Sequence, residues 1–147
     1  MSDEHCNSPV HTIVAGYGLP GRIVVDWLAS HHIAHCIIEL NPATVHRCEK
    51  SGTSIIEGSC TDPQVLKHAG IDTAQLLVLA IPDQKAALEA TSIARQLNPR
   101  IRIITRCHYT SAGIEAKARG ADEVIVAEQI VAEELLRRLD HRFQLPK

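Results

Sequence analysis

The chain has 147 residues, 45% of them hydrophobic and 22% charged, with a formal net charge of -2. That size suits one domain with a real core, without a separate substrate domain beside a cofactor domain. The composition is that of a soluble globular protein. It lacks the clustered basic face of a nucleic-acid binder, and its longest apolar run, Leu76 to Ile81, is far short of a membrane span.

Residues 1–9 are polar, carry no signal-peptide pattern and read as a disordered tail, leaving residues 10–147 as a single domain. A first strand is expected at about His11 to Ala15. It runs into Gly16-Tyr17-Gly18-Leu19-Pro20-Gly21, a G-x-G-x-x-G loop, and a helix opens near Pro20. That helix is expected to bury Ile23, Val24, Trp27 and Leu28. A second strand, about His35 to Ile38, leads to the acid Glu39, 18 residues after Gly21. Strand, glycine loop, helix, strand and acid together form a dinucleotide-binding fingerprint. In it Gly16 permits the tight turn, Gly18 lets the backbone approach a phosphate, and Gly21 lets the helix pack close. The helix N-terminus faces the phosphates, and Glu39 is placed for ribose hydroxyls and against a 2′-phosphate.

Asn41-Pro42 starts a second helix to about Lys50. Thr53 to Ile56 is a third strand, and Thr61-Asp62-Pro63 starts a short helix ending at Gly70. Gln75 to Ile81 suits a central parallel strand covered on both faces. Pro82-Asp83 starts a fourth helix ending at Asn98-Pro99. A strand at Ile101 to Thr105, a helix at Ser111 to Arg119 and a strand at Glu123 to Val126 follow, and a last helix spans about Glu128 to Arg142. Six strands alternating with helices imply an α/β, Rossmann-like, doubly wound parallel sheet of order 3-2-1-4-5-6 with helices on both faces.

In the last helix Val131, Ala132, Leu135, Leu136, Leu139 and Phe143 share one face, opposite Glu133, Glu134, Arg137 and Asp140. The stripe packs either on its own sheet or on a second copy; the helix's terminal place favours the second copy, a homodimer. His31, His32 and His35 cluster at the end of the first helix, where meeting free carbonyls outweighs a metal site. The five cysteines, Cys6, Cys36, Cys48, Cys60 and Cys107, have irregular spacing and read as reduced thiols, with Cys60 and Cys107 inert rather than redox-sensing. No catalytic set shows in the spacing.

These loops carry a family resemblance over about Val10 to Leu139. The segments are Val14 to Gly21, Ile37-Ile38-Glu39, Glu57 to Asp62, Leu66 to Ile71, Ala80 to Asp83, Ile103 to Arg106 and Arg119 to Ile125. Together they resemble the RCK, or TrkA-N, domains that regulate potassium channels and transporters, and the Arg106 to Tyr109 stretch looks most like those of Kef-type antiporters.

The resemblance implies a cytoplasmic, non-enzymatic regulatory subunit or excised domain. It would not insert in the membrane directly but would sit peripheral to the inner membrane through a cation channel, transporter or antiporter. It also implies a bound nucleotide: Gly16, Tyr17, Gly18, Leu19, Pro20 and Gly21 at the phosphates, Glu39 and Leu40 at the ribose, Ser59 and Cys60 beside the adenine, Ile81 covering it and Arg106 at the far end. Two positions depart from the family's pattern, Ser59 for an Asp and Leu19 for an Arg that reaches polyphosphate. They tilt the expectation to AMP or NAD(H) over ADP or ATP. An NAD-dependent oxidoreductase built by a dimer is the alternative, and a methyltransferase the third reading.

Overall fold

The computed structural model describes residues 11–145; the tail expected at residues 1–9 lies outside the described residues. Twelve elements alternate along the chain. They are β1 Thr12–Ala15, α1 Leu19–Ser30, β2 His35–Glu39, α2 Pro42–Lys50, β3 Ile55–Glu57 and α3 Pro63–His68, then β4 Leu76–Leu79, α4 Gln84–Leu97, β5 Arg102–Cys107, α5 Thr110–Arg119, β6 Glu123–Val126 and α6 Ala127–Phe143. All six strands are parallel, in the order β3-β2-β1-β4-β5-β6.

Alternation along β1 splits the core between the two faces. Val14 turns to one side with Ile37 and meets Val25 and Leu28 of α1. Ile13 turns to the other with Leu77 and Ile103, under Leu66 of α3 and Ala90 and Ala94 of α4. The helix starts follow the chemistry of their caps. Asn41, Asp62 and Asp83 accept hydrogen bonds from the N–H groups of Ala43, Gln64 and Ala86, and so begin α2, α3 and α4. Gly120, at φ 118°, ends α5 in the left-handed conformation.

Two expectations need correction. α1 does not bury Ile23 or Trp27, which are 61% and 55% exposed; Val24 is half-buried, and the inward residues are Gly21, Val25 and Leu28. The rotation of the helix is set by Gly21, whose absent Cβ would overlap the carbonyl oxygen of Gly16. Bringing that residue inward turns Ile23 and Trp27 out, and Trp27 stacks on His31 at 4.1 Å instead.

β5 runs on to Cys107, because Arg106 and Cys107 pair with Ile125 and Val126 of β6. Arg106 is therefore a strand residue and not part of a loop.

Of the two placements open to the α6 stripe, packing on its own sheet is not the one seen. No residue of α6 is buried, and Val131, Leu135, Leu136, Leu139 and Phe143 are all exposed. Its polar side is held by Glu134, which accepts from Arg137 and Arg138 at 2.7 and 2.8 Å.

Candidate functional site

The carboxyl ends of β1, β2, β3 and β4 converge around one cavity of about 580 Å³, inside the range of roughly 300–1,000 Å³ typical of small-molecule sites. Its position over the split between β1 and β4 follows from topology, since the connections after those strands leave toward opposite faces.

The glycine loop forms one rim. Gly16 sits at φ 97°, and its N–H donates to the Ile38 carbonyl at 2.9 Å. A side chain there would also press on Ile81 and the Ala80 backbone at 3.0 to 3.1 Å. Gly18, at φ -74°, is different: its backbone would suit any residue, but the space a Cβ would enter is open to 4 Å. Gly18 is also the N-cap of α1. No side chain caps that helix, and no acid lies in its first turn. Its N-terminal N–H groups and positive dipole end are thus left for an anion.

Glu39 closes the next side. Its Oε1 accepts from the Tyr17 N–H at 3.1 Å, and its Oε2 accepts from the N–H groups of Leu40 and Asn41 at 2.6 and 3.2 Å. One carboxylate thereby ties the glycine loop to the β2–α2 loop. The third side is the Gly58-Ser59-Cys60 turn, where the Ser59 hydroxyl accepts from the Thr61 N–H at 3.2 Å and pairs with the Thr61 hydroxyl at 2.7 Å. Burial pushes the Cys60 thiol up to about 11. It also raises Cys107, which is fully covered. Both are poor thiolates at neutral pH. Ile81, Pro82 and Asp83 form the last wall, and Asp83 spends one oxygen on capping α4.

Of the residues singled out from the sequence, Gly16, Tyr17, Gly18, Glu39, Leu40, Ser59, Cys60 and Ile81 line this cavity. Leu19, Pro20, Gly21 and Arg106 are not among its lining residues. Leu19 is 71% exposed on the outside of α1, and Gly21 is buried beneath Gly16. Tyr17 faces Glu39 with its backbone, while its ring packs beside the layer of Val14, Val25 and Leu28 and meets the Cys48 thiol. Burial first, then Cys48 and Asp26, raise its phenol. Asn41, Pro82, Asp83 and Ala86 join the lining although the sequence assigned them no contact with a ligand. The signals that mark them are the Asn-Pro and Pro-Asp helix starts.

No group of three His, Cys, Asp or Glu among the described residues could hold a metal. In the histidine cluster, the Nδ1 atoms of His31 and His35 donate to the carbonyls of Trp27 and Ile33, each at 2.8 Å. No helix among the described residues is long and apolar enough to cross a membrane.

Comparison with known proteins agrees with this geometry. The TrkA-N domain family matches residues 12–127. YbaL of Escherichia coli K12 is 30% identical over 135 residues, which is 92% of this chain and 24% of YbaL. The glutathione-regulated potassium-efflux system protein KefC of Cronobacter sakazakii is 28% identical over 119 residues, 81% of this chain and 19% of KefC. The chain thus spans about a quarter or less of the length of these relatives.

Among solved structures, the TrkA-N domain of the inner membrane protein YbaL from Escherichia coli superposes with a TM-score of 0.84 at 29% identity, covering 88% of this chain and 96% of that domain. GsuK bound to ADP gives 0.80 at 25% identity, covering 91% of this chain and 35% of GsuK. The AMP-bound Kef C-terminal domain of Shewanella denitrificans gives 0.74 at 25%, covering 85% and 75%.

Proposed function

The chain belongs to the TrkA-N domain family, and on that premise we propose that it is an adenine-nucleotide-binding regulatory domain acting on a membrane cation antiporter, transporter or channel. The observation that carries the reading is the open space at Gly18 over an uncapped helix N-terminus, with Glu39 on the neighbouring strand end. A phosphate fits the first and a ribose diol the second. In this reading the N-terminal N–H groups of α1 hold the phosphate, Glu39 accepts from ribose hydroxyls, and Ile81 and the Cys60 turn enclose the base. The AMP and ADP found on Kef and GsuK support the ligand class.

The role is regulatory rather than catalytic. The titratable groups along the cavity are already committed: Glu39 to backbone N–H groups, Asp83 to the α4 cap, Cys60 to a buried thiol, and the Tyr17 ring to the α1 side of the sheet. None is poised as the proton donor that an oxidoreductase needs. A methyltransferase would end its sheet on an antiparallel strand, whereas β6 runs parallel to β5.

The domain acts as a homodimer through the exposed stripe of α6, on the cytoplasmic side of the membrane. Nucleotide shifts the balance between two dimer arrangements, and a coupling of about 1–3 kcal/mol changes a partner's gating several-fold.

Calorimetric titration of nucleotide-free protein with AMP, ADP, ATP, NAD and NADH tests the reading, with Gly18→Asp as the matched variant. The parent should bind at micromolar concentrations, and the variant, whose carboxylate fills the phosphate path, should not bind. Equal affinity in the two proteins would refute this placement.

A further inference from the structure

A second cavity, of about 350 Å³, lies on the outer side of the glycine loop between α1 and α2, and shares Tyr17 and Gly18 with the nucleotide cavity. Two guanidinium groups line it, Arg22 of α1 and Arg47 of α2, together with Thr44, Cys48 and Ser51. Among the described residues no carboxylate does. Among the described residues neither arginine forms an ion pair, not even Arg22 with Asp26 one turn along the same helix. Among the described residues Arg47 donates only to the Thr44 hydroxyl at 3.3 Å, and the Arg22 side chain has no hydrogen bond.

The two cavities are complementary in charge. Among the described residues, the side chains along the nucleotide cavity include Glu39 and Asp83 but no Arg or Lys, so what attracts a phosphate there is the α1 N-terminus. The free positive charge lies one step further, across Gly18. Arginine presents its donors in a planar fork that matches phosphate oxygens. Two like charges facing one small cavity without a counter-ion repel each other until an anion enters.

We propose that Arg22 and Arg47 form a second phosphate subsite, holding a phosphoryl group beyond the one seated at Gly18. The inference rests on the nucleotide reading above and deepens it. It makes a nucleoside di- or triphosphate, rather than AMP, the ligand that uses the whole site.

The test is calorimetric titration of the full chain, freed of nucleotide, with AMP, ADP and ATP, and with inorganic phosphate alone and after saturation with AMP. Each is repeated on the double variant Arg22→Gln/Arg47→Gln. Both side chains are exposed, so the variant should fold, which its thermal melt will verify. ADP or ATP should bind the parent at least about tenfold more tightly than AMP, a difference of one decade in Kd. The double variant should lose that preference while its AMP affinity stays within about twofold of the parent's.

Phosphate binding to the AMP-saturated parent but not to the variant, without a preference for ADP, would also support the subsite and would show that it takes a separate phosphate. An unchanged ADP-to-AMP ratio, with no arginine-dependent phosphate binding, would overturn the proposal. Failure of the parent to bind AMP, ADP or ATP would refute the nucleotide reading instead, and the titration with phosphate alone would still decide the subsite.

Discussion

Replacing Gly21 by alanine sets two effects of opposite sign against each other. In a helix interior, alanine is favoured over glycine by about 0.8–1.0 kcal/mol, so propensity alone makes Gly21→Ala stabilising. The packing says otherwise. The new Cβ would overlap the Gly16 carbonyl oxygen, and that atom has little room to yield. The Gly16 N–H is bound to Ile38 at 2.9 Å, and the side where its Cβ would stand is closed by Ala80 and Ile81. Moving the carbonyl means moving either α1 or the β1 end, and forced overpacking of this kind costs about 1–3 kcal/mol.

Because the overlap is with a backbone atom that cannot rotate away, the cost belongs at the upper end of that range, and the expected net effect is a loss of about 2 kcal/mol, or roughly 4–8 °C in Tm for a domain of this size. Gly18→Ala is the internal control. Its backbone is ordinary and its Cβ enters open space, so it costs only the difference between glycine and alanine at an N-cap, under about 1 kcal/mol. Urea unfolding followed by far-ultraviolet circular dichroism gives both midpoints and slopes. A Gly21→Ala protein as stable as its parent at an unchanged slope, or less perturbed than Gly18→Ala, would refute the argument that the Gly16 contact sets the rotation of α1.

Three further expectations follow from other parts of the molecule. Burial works to raise the Asp122 carboxyl, but the Ile103 N–H and the Arg95 guanidinium, both at 2.8 Å, outweigh it and leave the group below its ordinary range. A depressed carboxylate stabilises the fold above its unfolded pKa, and that contribution fades as pH falls through the folded value. The parent should therefore lose more stability than Asp122→Asn below about pH 4, and identical acid limbs in unfolding curves would refute the role given to this pair. Leu136→Glu with Leu139→Glu should convert a dimer to a monomer by sedimentation and leave the unfolding of the domain itself little changed, since neither residue is buried; a sedimentation profile the same as the parent's would remove α6 from the interface. The Cys60 thiol, pushed up to about 11 by burial, should resist alkylation at pH 7.5 until the chain unfolds, and peptide mapping that finds it modified in the native protein would contradict that burial.

The parts of this fold that were readable in advance are those governed by short-range rules. Strand and helix alternation follows from hydrophobic period, and the helix starts at Asn41, Asp62 and Asp83 follow from side chains that can reach an N–H two or three residues on. The parallel order follows in turn, because right-handed crossovers leave few other routes. What escaped depends on contacts between distant residues. The buried face of α1 could not be read from the spacing of Ile23, Val24, Trp27 and Leu28, because a glycine–carbonyl contact outranks apolar periodicity there. The extra length of β5 is a property of β6, which continues to pair through Val126 and thereby takes Arg106 out of the loop.

The candidate site divides along the same line. Its backbone parts, Gly16, Gly18 and the strand end at Glu39, are dictated by a local motif, and they meet where the motif places them. Its electrostatic part is not local. Arg22 and Arg47 belong to different helices, 25 positions apart in the chain, and line one cavity only because α1 and α2 lie side by side over β1, β2 and β3. Leu19, read for its place in the glycine loop, points to solvent, whereas Arg22, which no motif marks, lines the cavity on the far side of Gly18. If the proposed nucleotide reading holds, the choice between mono- and polyphosphate therefore rests less on the loop, which would seat one phosphate, than on the charge that the packing of α1 and α2 places beyond it.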